Sequence, residues 1–152
     1  MSNRQAGWLF VAAQFALLAT LIVLPTGAGW RRPTWLTMAG IALVIGGLVV
    51  VAVAASHLGE SLTATPEPKG EASLRTGGLY RFARHPIYSG VLLIVVGLVV
   101  RSGSFVTLAV GVATVVFFDR KAAWEERRLT ATYPGYAEYA RITPRFLPRR
   151  RR

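Results

Sequence analysis

Residues 78–90 read Gly-Leu-Tyr-Arg-Phe-Ala-Arg-His-Pro-Ile-Tyr-Ser-Gly, and some forty positions on the chain reads Trp-Glu-Glu-Arg-Arg-Leu at 124–129. The first stretch gathers Tyr80, Arg84, His85 and Tyr88 at the junction of a polar segment and an apolar one; the second supplies paired carboxylates, Glu125 and Glu126. Polar side chains at such a boundary are costly unless they are used. Pro86 suits the first position of a helix, where no amide hydrogen is needed, and it pushes His85 out of the helical region. Arg84 and His85 are therefore expected at the mouth of a helix N-terminus, a place that favours anions. The plainer alternative is an interfacial anchor, with Arg on lipid phosphate and Tyr in an aromatic belt.

The two carboxylates differ in their helical neighbours. Glu125 has Lys121 four residues before it and Arg128 three after, so its charge is expected to be matched locally. Glu126 has Ala122, Ala123, Leu129 and Thr130 around it, none of them charged. Glu126 is thus the carboxylate expected to take a cation from outside its own helix, the structural alternative being an ion pair with Arg81, Arg84 or a tail arginine. A third cluster follows the Pro134-Gly135 break. Tyr136, Tyr139 and Ala140 share one face of a short helix, which reads as an interfacial amphipathic helix or as a lid whose aromatics cover an adenine or close a headgroup cleft.

These groups must be positioned by apolar helices. The chain of 152 residues is 53% hydrophobic, with the apolar residues in four blocks at 8–24, 35–58, 87–100 and 104–118. The first two are long enough to cross a ~30 Å hydrocarbon core. The last two are short, the third reaching only ~21 Å at ~1.5 Å per residue, so both must borrow flanking residues, with Arg101 snorkelling outward. Arg101-Ser102-Gly103 is expected to be a tight hairpin turn between blocks three and four. Block four lacks Pro and Gly from Val112 to Tyr133, so its helix should run on into water and stop at Pro134-Gly135. That extension carries Glu125 and Glu126. Small residues four apart, Ala12/Ala16, Ala42/Gly46 and Ala109/Ala113, permit close helix packing. The loop 59–77 is polar and reads as irregular, His57 reads as interfacial, and the tail 149–152 as a solvated or lipid-facing charge run.

With four crossings, 15 of the 18 basic residues fall on the side of both termini and three, Arg31, Arg32 and Arg101, on the other. By the positive-inside rule the termini and all seven acidic residues are cytoplasmic. A signal peptide built from Arg4, block one and Thr26-Gly27-Ala28 is the alternative for the N-terminus, but the run is long for that role. The net charge of +11 points to anionic lipid headgroups rather than nucleic acid, for which no recognition helix or aromatic-basic sheet is evident. The absence of cysteine excludes disulfides and thiolate chemistry, and two histidines exclude a His-rich metal site. A composition rich in Ala, Val, Gly and Arg suggests a high-GC bacterium, and hence its inner membrane.

The succession Gly78, Tyr80, Arg84, His85, Pro86, Tyr88, Gly90, then Glu125, Glu126, Leu129, then Tyr133, Gly135, Tyr136, Tyr139, then Pro144, Arg145, Leu147, Pro148 resembles the isoprenylcysteine carboxyl methyltransferase family and the related phospholipid N-methyltransferases, over about residues 60–148. The resemblance implies an integral membrane methyltransferase using S-adenosylmethionine, with a lipophilic acceptor and with Tyr80, Arg84, His85, Tyr88, Glu126 and Tyr139 at the cofactor. His85 is then expected to hold the cofactor carboxylate rather than to act as a base. The expected architecture is an all-α integral membrane protein of about four transmembrane helices, with a helical hairpin, a cytoplasmic helix extension and a short C-terminal amphipathic helix. It divides into an N-terminal helix pair, 1–58, and a methyltransferase core, 59–152. Two other classes remain: a membrane reductase, since sterol reductases carry a similar Arg-His-x-x-Tyr element, and a non-enzymatic lipid- or partner-binding protein.

Overall fold

A computed structural model describes residues 3–27, 29–58 and 74–146; most of the 59–77 loop and the 149–152 tail lie outside them. Five α-helices and one turn of 3-10 helix follow in order: α1 Asn3–Val23, α2 Thr34–Leu58, the 3-10 turn Gly78–Arg81, α3 Pro86–Ser102, α4 Phe105–Thr132 and α5 Tyr136–Ile142. The described residues form no strand, only an isolated bridge between Gly29 and Ser104. Both α1, over Gln5–Val23, and α2 are long and apolar enough to cross a membrane, while α3 is apolar but has 17 residues. Phe15, Ile22, Trp35, Ile45, Phe105 and Val112 are among the large apolar side chains exposed on these helices.

The tightest packing joins α2 to α3, and glycine makes it possible. Gly40, Gly47 and Ala54 are buried at every seventh position of α2, as are Gly90 and Gly97 on α3. A Cβ added at Gly47 would meet the Gly90 carbonyl oxygen at 2.6 Å, and one at Gly40 the Gly97 oxygen at 2.7 Å. The two backbones touch in antiparallel register, a close approach open only to small residues. The expected four-residue pairs lie elsewhere: Ala12, Ala16, Ala42, Ala109 and Ala113 are exposed, and Gly46 meets only the Leu93 Cδ2 at 3.7 Å. A seven-residue spacing returns to the same face of a helix as surely as four, and here it defines the seam.

Helix α4 packs on α1 through aromatics. The Phe10 ring lies 5.9 Å from Phe117 and 5.1 Å from Trp124, and Arg128 lies 3.5 Å over Trp124. The α3–α4 turn is shorter than expected. Arg101 and Ser102 stay helical, Gly103 turns at φ 62°, and Ser104 caps α4 by accepting the Thr107 amide. The α1–α2 connection is laid across that turn, with Gly27 N–H donating to the Ser102 carbonyl at 2.7 Å and Trp30 N–H to Gly103 at 3.2 Å. At the opposite end α4 continues to Thr132, where the Tyr133 amide closes on the Leu129 carbonyl before Pro134.

Candidate functional site

Pro86 opens α3, and His85 precedes it at φ −125°, ψ 63°, outside the helical region. The elbow is held by the C-terminal segment. The Arg84 amide donates to the Pro144 carbonyl at 2.9 Å, the His85 amide to Arg145 at 3.0 Å, and the Ser89 hydroxyl to Phe146 at 2.6 Å. On the other flank His57, at the end of α2, accepts the Leu79 amide through Nδ1 at 3.5 Å and so steadies the turn that carries Tyr80. The Tyr139 hydroxyl donates to the Tyr80 carbonyl, which fastens α5 to that turn. All six residues read from the sequence as cofactor-facing fall in this one region.

At its centre the His85 ring lies between the two carboxylates. Its Nε2 is 3.2 Å from Glu126 Oε1 and its Nδ1 is 3.4 Å from Glu125 Oε2. Tyr88 stacks on the imidazole, centroids 5.2 Å apart and planes 4° from parallel, and donates to Glu125 Oε1 at 2.6 Å. Both nitrogens of His85 are thus turned to the protein's own carboxylates, so the expected free N–H for a cofactor carboxylate is not presented.

Local matching of the two glutamates follows expectation only in part: Lys121 still acts on Glu125 electrostatically, but its hydrogen bond and the stacking of Arg128 go elsewhere. Arg128 stacks on Trp124, and the buried Lys121 donates to Gln14 Oε1 of α1 at 2.6 Å, with its ammonium 5.1 Å from the Tyr88 ring centroid. Glu126 is the carboxylate that the chain itself saturates. Arg145 donates from Nε to Oε1 at 3.1 Å and from Nη2 to Oε2 at 2.8 Å, and Arg84 Nη2 lies 3.4 Å from Oε1. A third arm of Arg145 donates to Asp119 at 2.6 Å. The reason is tertiary: the cations come from 42 residues upstream and 19 downstream, beyond any helical-neighbour count.

Protonation follows this wiring. Burial raises the pKa of Glu125, opposed by His85, Tyr88 and Lys121. Burial would also raise Glu126, but hydrogen bonds from His85 and Arg145 and the Arg84 charge outweigh it and hold that carboxyl at about 2. Burial lifts Tyr80 and Tyr139 to about 12. Two buried donors near this cluster have no partner among the described residues, the Arg84 Nε and the Tyr136 hydroxyl. Tyr136 feels the charges of both Glu126 and Arg84. The family resemblance put Tyr139 and not Tyr136 at the cofactor; in the structure Tyr139 spends its hydroxyl on the fold and Tyr136 does not.

The arrangement can bind a ligand carrying both signs of charge. Unpartnered donors suit an anion, the carboxylates suit cations, and tyrosine rings suit a flat heterocycle. S-adenosylmethionine, with a carboxylate, an ammonium, a sulfonium and an adenine, fits that donor and acceptor set. The sequence profile of the phospholipid methyltransferase family matches residues 35–135. Over 151 residues the chain is 30% identical to protein-S-isoprenylcysteine O-methyltransferase B of Arabidopsis thaliana, covering 92% of this chain and 76% of that protein. It is 33% identical to the A form of the same plant, covering 81% and 63%. It is 38% identical over 78 residues to the cobalt-zinc-cadmium resistance protein CzcN of Cupriavidus metallidurans, covering 51% and 36%. The chain therefore spans between about a third and three quarters of the length of these relatives.

Proposed function

The chain belongs to the phospholipid methyltransferase family, and on that premise we propose that it is an integral membrane enzyme transferring a methyl group from S-adenosylmethionine to a lipophilic acceptor, a carboxylate, thiol or amine, at the cytoplasmic face. One observation carries this reading: side chains from three distant segments converge on His85 and Glu126 beside two buried donors with no partner among the described residues. Arg84 Nε and the Tyr136 hydroxyl would hold the carboxylate. Glu125 would face the ammonium and sulfonium, and Tyr80 and Tyr88 the adenine. Tyr139 would shape the wall through its bond to Tyr80. Glu126 acts here chiefly by fixing Arg84, Arg145 and His85, because its oxygens are already engaged.

The cofactor supplies an electrophilic methyl group on a sulfonium. Transfer to an anionic acceptor neutralises charge, so side chains that exclude water favour it, and holding donor and acceptor in line contributes much of the rest. A carboxylate or thiolate acceptor needs no base, whereas an amine must first lose its proton.

In the membrane α1, α2 and the apolar parts of α3 and α4 would each cross, with both termini cytoplasmic, in keeping with the 15-to-3 division of basic residues. Bacterial inner membrane is the compartment that this reading favours, and the acceptor would enter from the lipid side. Calorimetric titration of detergent-purified protein with S-adenosylhomocysteine and with NADPH tests the proposal. Binding of the first alone is expected. Binding of NADPH instead points to a reductase, and binding of neither to a lipid- or partner-binding module.

A further inference from the structure

Lys121 stands three residues beyond Phe118, where the apolar part of α4 ends. A lysine at such a place ordinarily extends its ammonium toward water. Lys121 does the reverse. Helical side chains lean toward the N-terminus of their helix, which on α4 is the apolar direction, and Lys121 follows that lean until it is 3% exposed. Its ammonium donates to Gln14, a polar residue in the middle of the apolar run of α1, and faces the Tyr88 ring. A cation so placed needs a counter-charge, and Glu125 lies one helical turn away.

The groups facing Glu125 come from every surrounding element: His85 and Tyr88 at the start of α3, Lys121 and Glu126 on α4, Tyr80 from the 3-10 turn and Tyr136 from α5. The arginines nearby, Arg84 and Arg145, are committed to Glu126. Beside His85, whose Nδ1 lies 3.4 Å from Glu125, Lys121 is the further cation among the described residues that bears on this carboxylate. We propose that Lys121, held by Gln14, is a positioning residue that keeps Glu125 ionised and accepting from Tyr88, so that α1 belongs to the site although the family match begins at residue 35. This rests on the methyltransferase reading above, since an ionised Glu125 is what would face the cofactor's positive charge. Without the ammonium, burial and the adjacent Glu126 act unopposed by it, and Glu125 takes up a proton at higher pH.

The experiment compares wild type, Lys121→Met, Lys121→Arg and Gln14→Leu in detergent, reading S-adenosylhomocysteine affinity from about pH 6 to about pH 8.5. Loss of the ammonium pushes the Glu125 pKa further up, so Lys121→Met is expected to lose affinity several-fold at the acid end relative to the alkaline end. Wild type and Lys121→Arg should lose less at the acid end, and Gln14→Leu should fall between. Infrared difference spectra read the same event without ligand: a protonated-carboxyl band should appear in Lys121→Met near neutral pH and vanish when Glu125→Gln is added. A pH-independent loss in Lys121→Met, or no carboxyl band, overturns the proposal. If Lys121→Met does not fold, Gln14→Leu decides in the same way, and a wild-type profile in that variant overturns it. Failure of wild type to bind any cofactor would sink the functional reading while the infrared arm still judges this one.

Discussion

Arg145 grips Glu126 with two N–H groups, at 3.1 and 2.8 Å, across 19 residues that include the Pro134-Gly135 break. That pair ties the C-terminal segment to α4 and, through Arg84 and His85, to the start of α3. Glu126→Gln removes the charge on which all three basic side chains converge. It should cost roughly 3 kcal/mol of stability, as breaking a partly buried ion pair does. The pH dependence carries a signature. A carboxyl held at about 2, against an ordinary 4.5, stabilises the fold above about pH 4.5 and loses that contribution as pH falls toward 2. Thermal melts of the purified protein should decline over that window in wild type and less so in Glu126→Gln. Parallel curves would remove Glu126 from this role.

Tyr136 and Tyr139 should respond oppositely to loss of the hydroxyl. Tyr139→Phe breaks the bond to the Tyr80 carbonyl and should lower stability by about 1 kcal/mol. Tyr136→Phe removes a buried hydroxyl with no partner among the described residues, so stability should hold or rise slightly while S-adenosylhomocysteine affinity falls several-fold. Melting temperature and calorimetry on the two variants decide it. Equal behaviour would mean that the two hydroxyls do the same job.

Much of this was legible in the sequence because the signals were local. Apolar block length gave α1 and α2, Pro86 gave the start of α3, and Pro134-Gly135 gave the end of α4 to within a residue. The Arg-His-Pro-x-Tyr stretch and the glutamate pair marked the region where the polar side chains meet. What was hidden was tertiary. Nothing near Glu126 announces Arg145 as its partner, nothing near Lys121 announces Gln14, and the α2–α3 seam uses a seven-residue spacing where four was sought.

The seam makes a sharp contrast between adjacent glycines. Gly47→Ala would drive a methyl group into the Gly90 carbonyl and the Ile94 side chain, both at 2.6 Å, whereas Gly46→Ala meets only the Leu93 Cδ2 at 3.7 Å. The first should cost about 1–3 kcal/mol through overpacking and the second almost nothing. The fraction surviving a heat step in detergent measures both. Equal survival would show that the helices part easily and that the glycine contact is dispensable.

Orientation is open to direct test. A reporter fused after Arg152 should read cytoplasmic, and one inserted at Gly29 should read external, from the distribution of basic residues. An external C-terminal reporter would put the carboxylate cluster on the side opposite the cytoplasmic cofactor pool.

The segment 144–146, which hydrogen-bonds back to Arg84, His85 and Ser89, imposes an order on how the protein is made. At about 5–20 residues per second of synthesis, the ribosome adds Pro144 several seconds after Arg84. During that interval the helices can enter the bilayer, but Glu126 must wait for Arg145, and the Arg84 and His85 amides for their carbonyl acceptors. The polar cluster is therefore completed last, and a chain interrupted before Arg145 would be inserted yet lack the clasp that closes it.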